Sequence, residues 1–246
     1  MSTLAFSLLV LGFVSGCSTT AADSANTKSA KVHTELAGLY FERSQFGIAL
    51  DELETALRAD PNYAPAYSVR GLVHMALRED DQADEDFRKS LRIEKNDSDT
   101  QNNYGWYLCQ RGREKESIPH FMAAVKDPLY QTPARAFVNA GLCSRKMGTN
   151  REAEEFFQRA LTAQPNMPQA LYALADMHFA DGDYSGAKRY FAGLGQRLDN
   201  LSAEQLWLAV RIERKVGDQN SAASFALQLR KRFPDAPETQ LLMRGE

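Results

Sequence analysis

A repeat with a period of 34 residues constrains the fold of this chain more than any other feature. A small residue recurs six times, with steps of 34, 34, 36, 34 and 34 residues: Ala37, Gly71, Gly105, Gly141, Ala175 and Ala209. A second small column and a large apolar column follow the same steps. Small residues allow helices to cross closely, and large ones fill the space between helices. The pattern predicts a helix-turn-helix unit, the tetratricopeptide repeat.

Turn signals between the columns set the repeat boundaries. Gly112 and Gly148 suit the left-handed end of a first helix, and Pro61 and Pro165 stop a second helix. We therefore predict an all-α fold, a right-handed superhelix (an α-solenoid) of six tetratricopeptide repeats followed by a partial capping helix. The predicted repeats are residues 30–63, 64–97, 98–133, 134–167, 168–201 and 202–235, and the capping helix is 236–246.

The N-terminus predicts export. Its apolar run is shorter than the roughly 20 residues that span a bilayer, so residues 1–16 are interpreted as a signal peptide. The run ends in "VSGC", which resembles a bacterial lipobox and makes Cys17 the expected lipidation site; an ordinary cleaved signal or an anchor are the alternatives. Ser18 follows, without an aspartate that would retain the protein at the inner membrane. By resemblance to sorted lipoproteins, we expect the lipoprotein-sorting machinery to deliver the chain to outer-membrane lipid, facing the periplasm. The small, polar residues 17–29 are predicted to be a flexible tether.

Composition and motifs argue against several functional classes. The chain has 29 Lys and Arg against 32 Asp and Glu, without the clustered basic excess typical of nucleic-acid binding. It has no glycine-rich phosphate loop, HExxH, CxxC or GxSxG motif. His74 and His178 share a repeat position where an aromatic residue usually packs, and the acidic run "REDDQADEDF" suits a solvated helix face. We expect no enzymatic activity, no cofactor and no metal site.

A binding groove is the function expected of such a repeat scaffold. Inward-facing positions of the first three repeats include four apolar residues: Phe41, Leu72, Met75 and Trp106. Contiguous exposed apolar surface usually marks a partner site, and Met and Trp suit adaptable or anchoring contacts. The alternative is that this strip packs within a tightly wound superhelix or against the N-terminal segment. Farther along, charged residues such as Arg145 and Asp176 replace it.

Two cysteines lie in neighbouring repeats. If Cys17 carries lipid, Cys109 and Cys143 remain, and an exported chain meets an oxidising compartment in which disulfides persist. A bridge between adjacent first helices is feasible if the Cα atoms come within about 7 Å. Two separate buried thiols that act as small hydrophobic residues are the alternative.

The stretches "NNYGWYLCQRGR" and "NAGLC", in a lipoprotein with six repeats, resemble the type IV pilus biogenesis and stability family, the pilotins of the pilus secretin. The resemblance implies a disulfide between Cys109 and Cys143, and contact between the first repeats and the secretin. It also implies that the protein promotes outer-membrane localisation and multimerisation of the secretin for pilus assembly. The alternatives are a repeat lipoprotein that scaffolds β-barrel insertion or peptidoglycan enzymes, and an envelope enzyme with a hidden site.

Overall fold

The computed structural model describes residues 19–194 and 200–245, and this part of the chain is helical throughout, without a strand. The all-α prediction is therefore confirmed. The described residues form thirteen helices: α1 (Thr19–Glu42), α2 (Phe46–Ala59), α3 (Ala64–Leu77), α4 (Asp80–Ile93), α5 (Ser98–Gln110), α6 (Glu114–Ala124), α7 (Pro133–Lys146), α8 (Asn150–Ala163), α9 (Pro168–Ala180), α10 (Tyr184–Ala192), α11 (Ala203–Val216), α12 (Gln219–Arg232) and α13 (Pro237–Met243).

The chain divides into two compact units, between Lys95 and Asn96. The first unit contains α1 to α4, and the second contains α5 to α13. Within each unit, every odd-numbered helix from α1 to α11 packs most extensively on the helix that follows it. The first helices of neighbouring pairs also touch, α1 with α3 in the first unit and α5 with α7 in the second. These are the helix pairs that the 34-residue period predicts.

Glycine and phenylalanine meet at the centre of these pairs. A Cβ atom built on Gly141 would lie 2.6 Å from Phe157, and one on Gly105 would lie 2.9 Å from Phe121. Both phenylalanine side chains are fully buried. The small column thus allows the first helix to approach the aromatic ring of the second helix in the same pair.

Local sequence sets the helix ends. Asp97 accepts a hydrogen bond of 2.7 Å from the backbone N–H of Thr100 at the start of α5. Ser202 and Gln205 form a reciprocal capping box at the start of α11. At the other end, Gly112 follows α5 with a φ of 76°, in the left-handed region that glycine adopts without strain. Each device satisfies backbone groups that the helix terminus leaves unpaired.

The predicted tether is wrong from Thr19 onward, because α1 continues through it as a helix of 24 residues. The segment contains several alanines and no glycine or proline before Gly38, so nothing in it interrupts a helix that the packed part has nucleated. Thr27 Oγ1 also donates a 2.8 Å hydrogen bond to Asp60 Oδ2, at the end of α2. This contact fastens the early part of α1 to its partner helix.

The second unit ends in the short helix α13. Leu241 and Leu242 are half-buried and pack against the core cluster that α11 and α12 form with their neighbours. Over the described residues, none of the helices combines the length and the apolar character needed to cross a bilayer.

Candidate functional site

Three of the four predicted groove residues lie in the first unit. Phe41, near the end of α1, packs at a ring-centroid distance of 5.9 Å on Phe46. Leu72 and Met75 are three residues apart on α3 and therefore share a helix face. All three predicted side chains are half-buried, on two helices that contact each other. The first unit thus carries partly open apolar side chains where the sequence predicted them.

A polar network holds the helix that carries Leu72 and Met75. Arg70 donates two hydrogen bonds, of 2.8 and 2.6 Å, to the carboxylate of Asp86, which is only 4% exposed. His74 Nδ1 lies 2.5 Å from Glu79 Oε2, and its Nε2 lies 3.7 Å from Asp86 Oδ2. Because these contacts join α3 to α4 and to the turn between them, the apolar face of α3 is presented on a braced helix.

Trp106, the fourth predicted groove residue, belongs to the second unit. It is half-buried on α5 and packs against a buried cluster that includes Cys109, Phe121 and Cys143. The side chain of Trp106 therefore has a structural task, since it covers the cysteine pair. It is a less suitable position for a charge substitution than Leu72 or Met75.

The structure joins Cys109 and Cys143 in a disulfide, with their Cα atoms 5.9 Å apart. Both residues are almost completely buried. Lys146 Nζ donates a 2.8 Å hydrogen bond to the carbonyl oxygen of Cys109, and also lies 3.2 Å from Glu114 Oε1. The pKa of Glu114 is lowered, first by its own backbone N–H and then by Lys146. Covalent and polar contacts thus fasten α7 to α5 and α6.

Buried amides add to this seam. Asn139 donates a 3.0 Å hydrogen bond to Asn102, which again joins α7 to α5. His120 of α6 lies 2.6 Å from Gln101 Oε1, and its ring meets Tyr104 edge-on at 4.7 Å. Burial lowers the pKa of His120, because removal from water disfavours the charged ring. The sequence does not reveal these hydrogen bonds, because amide pairs leave no periodic signal.

The later helices of the second unit carry paired charges. Arg145 donates a 2.9 Å hydrogen bond to Asp176. Lys188 Nζ lies 2.6 Å from Glu213, whose hydrogen bond raises the pKa of Lys188. These charges largely satisfy one another, so this surface differs in character from the apolar side chains of the first unit.

The remaining histidines also make structural contacts. His33 lies 2.6 Å from Glu52, and His178 lies 2.8 Å from Asp183. The pKa of Asp183 is lowered, chiefly by the backbone N–H of Gly186 and then by His178. The described part of the chain holds no group of three or more His, Cys, Asp or Glu residues placed to share a metal ion.

Cys17, the predicted lipidation site, lies outside the described residues. Helix α1 also carries an exposed apolar face that was not predicted, formed by Val32, Leu36 and Leu39. Their spacing of four and three residues is a signal for a shared helix face, but the sequence does not reveal that the face is left uncovered.

The chain matches the tetratricopeptide repeat over residues 34–99 and again over residues 145–211. It is also similar to the crystal structure of PilW, described as a widely conserved type IV pilus biogenesis factor. The two are 35% identical with a TM-score of 0.77, and the match covers 87% of this chain and 98% of PilW. The chain belongs to the same tetratricopeptide-repeat family as PilW.

PilF of Pseudomonas aeruginosa, a type IV pilus assembly protein, is a second relative. It is 29% identical over 239 residues, which is 95% of this chain and 94% of PilF. The solved structure of PilF matches with a TM-score of 0.82 at 28% identity, over 90% of this chain and all of that chain. The likeness to type IV pilus proteins that the sequence suggested is thereby confirmed.

Proposed function

We propose that this protein is the pilotin of a type IV pilus secretin. It would be a lipoprotein of six tetratricopeptide repeats, anchored in the outer membrane through Cys17 and facing the periplasm. It would bind secretin subunits and promote their outer-membrane localisation and multimerisation, without catalysing a reaction. Homology to PilF and PilW supports a role in pilus assembly, and the secretin is the partner that we add to it.

The observation that carries the proposal is the extent of the match with PilF. It includes 95% of this chain and 94% of PilF, and therefore reaches far beyond the repeats that many unrelated scaffolds share. We infer from this extent that the chain has the task of its relatives in pilus assembly.

The first unit supplies the contact surface in this proposal. Phe41, Leu72 and Met75 are apolar, half-buried and carried on braced helices. A segment of a secretin protomer with apolar side chains would cover them, and burial of that area would drive binding. While it is held, this segment is not free to pair with other protomers. The lipid on Cys17 would carry the complex to the outer membrane, where multimers form.

The first experiment is a deletion of the gene in its own host. Heat-resistant secretin multimers in the outer-membrane fraction are then measured by immunoblot. We expect the multimers to disappear or the secretin to remain as monomers in the inner membrane. Normal multimers in the outer membrane would contradict the pilotin assignment and would favour scaffolding of β-barrel insertion or of peptidoglycan enzymes.

The second experiment tests the surface. Leu72→Glu combined with Met75→Glu should abolish co-purification of the secretin while the helical circular dichroism signal stays native. Ile48→Glu is the matched control, since Ile48 is an exposed aliphatic residue of the same unit on α2, 44% accessible. If the double variant still binds the secretin like the control, the contact surface lies elsewhere on the molecule.

A further inference from the structure

Helix α1 is apolar on two opposite faces. The inner face packs into the core of the first unit through Ala30 and Ala37, with the nearly buried Thr34 between them. With 100° of rotation per residue, a second set of side chains points the opposite way. This set consists of Val32, Leu36 and Leu39, which are 53%, 37% and 51% exposed. We call these three residues the outer face of α1.

The same repeat positions are covered elsewhere in the chain. On α7 and on α9, the residues at the equivalent positions are at most 7% exposed: Ala136, Ala140, Cys143, Ala170, Leu174 and Met177. There, the preceding helix packs alongside, α6 on α7 and α8 on α9. Among the described residues no helix precedes α1, so its outer face keeps the apolar character of a packed position without the packing.

Basic side chains stand at both ends of the outer face. Lys28 lies four residues before Val32, Arg43 lies four residues after Leu39, and both are exposed. Arg43 is the first residue after α1, so the two positions are separated by about 22 Å at the helical rise per residue. Glu35 flanks the face, but it is within 3.9 Å of Lys31. Glu42 is also exposed, beside Arg43. The surface that covers this face therefore has to be apolar in the middle, and negative charge at its ends would complement Lys28 and Arg43.

A second copy of the chain does not meet this requirement. An antiparallel pairing that places Val32 on Leu39 of the other copy also places Lys28 opposite Arg43. A parallel pairing places each cation opposite itself. Both arrangements oppose like charges. Three aliphatic side chains also fall well short of the roughly 800 Å² per partner that stable interfaces bury.

We propose that the outer face of α1 rests on an anionic phospholipid surface. The inference depends on the proposed lipidation of Cys17, because α1 begins at Thr19, two residues from that anchor. Val32, Leu36 and Leu39 reach into the interfacial layer, while Lys28 and Arg43 extend to the phosphate groups. The acyl chains hold the protein on the membrane, and the outer face orients it. The first unit then turns α2, on the opposite side of α1, away from the bilayer.

The test is thiol accessibility of the full-length, lipidated chain on vesicles. With Cys17 acylated and the Cys109–Cys143 disulfide formed, the thiol introduced by Leu39→Cys is the one that reacts with a membrane-impermeant maleimide. Glu54→Cys, on α2 with a side chain 67% exposed, is the matched control. Two basic side chains near an anionic surface shift the docked population by about thirtyfold. On vesicles with phosphatidylglycerol, labelling of the Leu39→Cys thiol should therefore be slower than the control by about tenfold or more.

The second part of the test is whether protection of the Leu39→Cys thiol depends on charge. Protection should be much weaker on vesicles of phosphatidylcholine alone, and should be lost when Lys28→Glu and Arg43→Glu are added to Leu39→Cys. Equal labelling on both vesicle types overturns the proposal. Protection that rises with protein concentration in the absence of vesicles would assign the face to a second copy. Protection that requires added secretin would assign it to an acidic protein segment; either result overturns membrane contact.

These outcomes separate the inference from the proposed function. If secretin multimers form normally in the presence of the protein while the Leu39→Cys thiol stays reactive on anionic vesicles, the pilotin role stands and the membrane contact fails. If the chain does not sediment with any vesicle, the lipid anchor is wrong and the membrane contact fails with it. Secretin binding would then still be tested through the Leu72 and Met75 variants.

Discussion

Replacement of single glycines by alanine should change stability with opposite signs at different positions. At Gly38 an added Cβ would meet nothing within 4 Å, whereas at Gly71 it would lie 3.0 Å from Phe87. Both glycines are in helices of the first unit, so they form a matched pair. In the second unit, the corresponding distance is 2.9 Å at Gly105 and 2.6 Å at Gly141. The structure therefore defines a graded series with an internal control.

Two opposing free-energy contributions set the magnitude. Alanine in place of glycine within a helix stabilises the folded state by about 0.5–1 kcal/mol. Overpacking of a full core costs about 1–3 kcal/mol, and the fully buried ring of Phe157 has little room to move. We expect Gly38→Ala to raise the free energy of unfolding by about 0.5–1 kcal/mol and Gly141→Ala to lower it by about 1–2 kcal/mol. The changes at Gly71 and Gly105 should lie between these two.

Urea unfolding followed by circular dichroism at 222 nm measures these differences, with the disulfide kept oxidised in every variant. Similar slopes of free energy against urea concentration across the series would show that the variants lose the same structure. The reasoning is refuted if Gly141→Ala is as stable as the native chain, because Phe157 would then move aside at no cost. It is also refuted if Gly38→Ala destabilises the protein.

Three further variants test polar and covalent interactions within the first unit or within the second unit. Replacing Cys109 and Cys143 by serine opens a loop of 34 residues, and should lower the free energy of unfolding by about 3.8 kcal/mol in the chain-entropy account; intact-mass analysis before and after reduction checks that the bond is present. Arg70→Met leaves the buried carboxylate of Asp86 without its main partner and should cost about 3 kcal/mol, and adding Asp86→Leu should recover most of this loss in thermal unfolding. Because burial lowers the pKa of His120 in the folded state, the unfolded chain binds more protons below about pH 6.5, so stability falls as pH decreases through this range. His120→Gln should flatten that slope in urea titrations at pH 5, 6 and 7, and an unchanged slope would remove His120 as its source.

The 34-residue period predicted much of the fold that the structure shows. The columns that include Gly105 and Phe121 predict which residues meet inside a helix pair, because a fixed repeat places them on facing surfaces. Leu72 and Met75, which the repeat pattern predicted to face a groove, are half-buried on α3 in the first unit. Trp106 is half-buried as well, and it also packs against the cluster that includes Cys109, a contact that the pattern did not predict.

The extent of α1 shows a second limit. Residues 19–29 are small and polar, so composition indicated a tether, yet the helix runs through them. Composition measures whether a segment can bury apolar area, and this segment does not need to, because it extends a helix that is already nucleated and is tied to Asp60 by Thr27.

The sequence by itself determined the repeat, the helix pairs and the turns, because small and large residues at fixed spacing and glycines at helix ends act over short distances. It also contained every residue of the outer face of α1. Only the tertiary structure decided which side chains are covered, since burial depends on the neighbour that packs against a face. Val32, Leu36 and Leu39 occupy positions that are buried on α7 and α9, and they are exposed because no described helix lies against them.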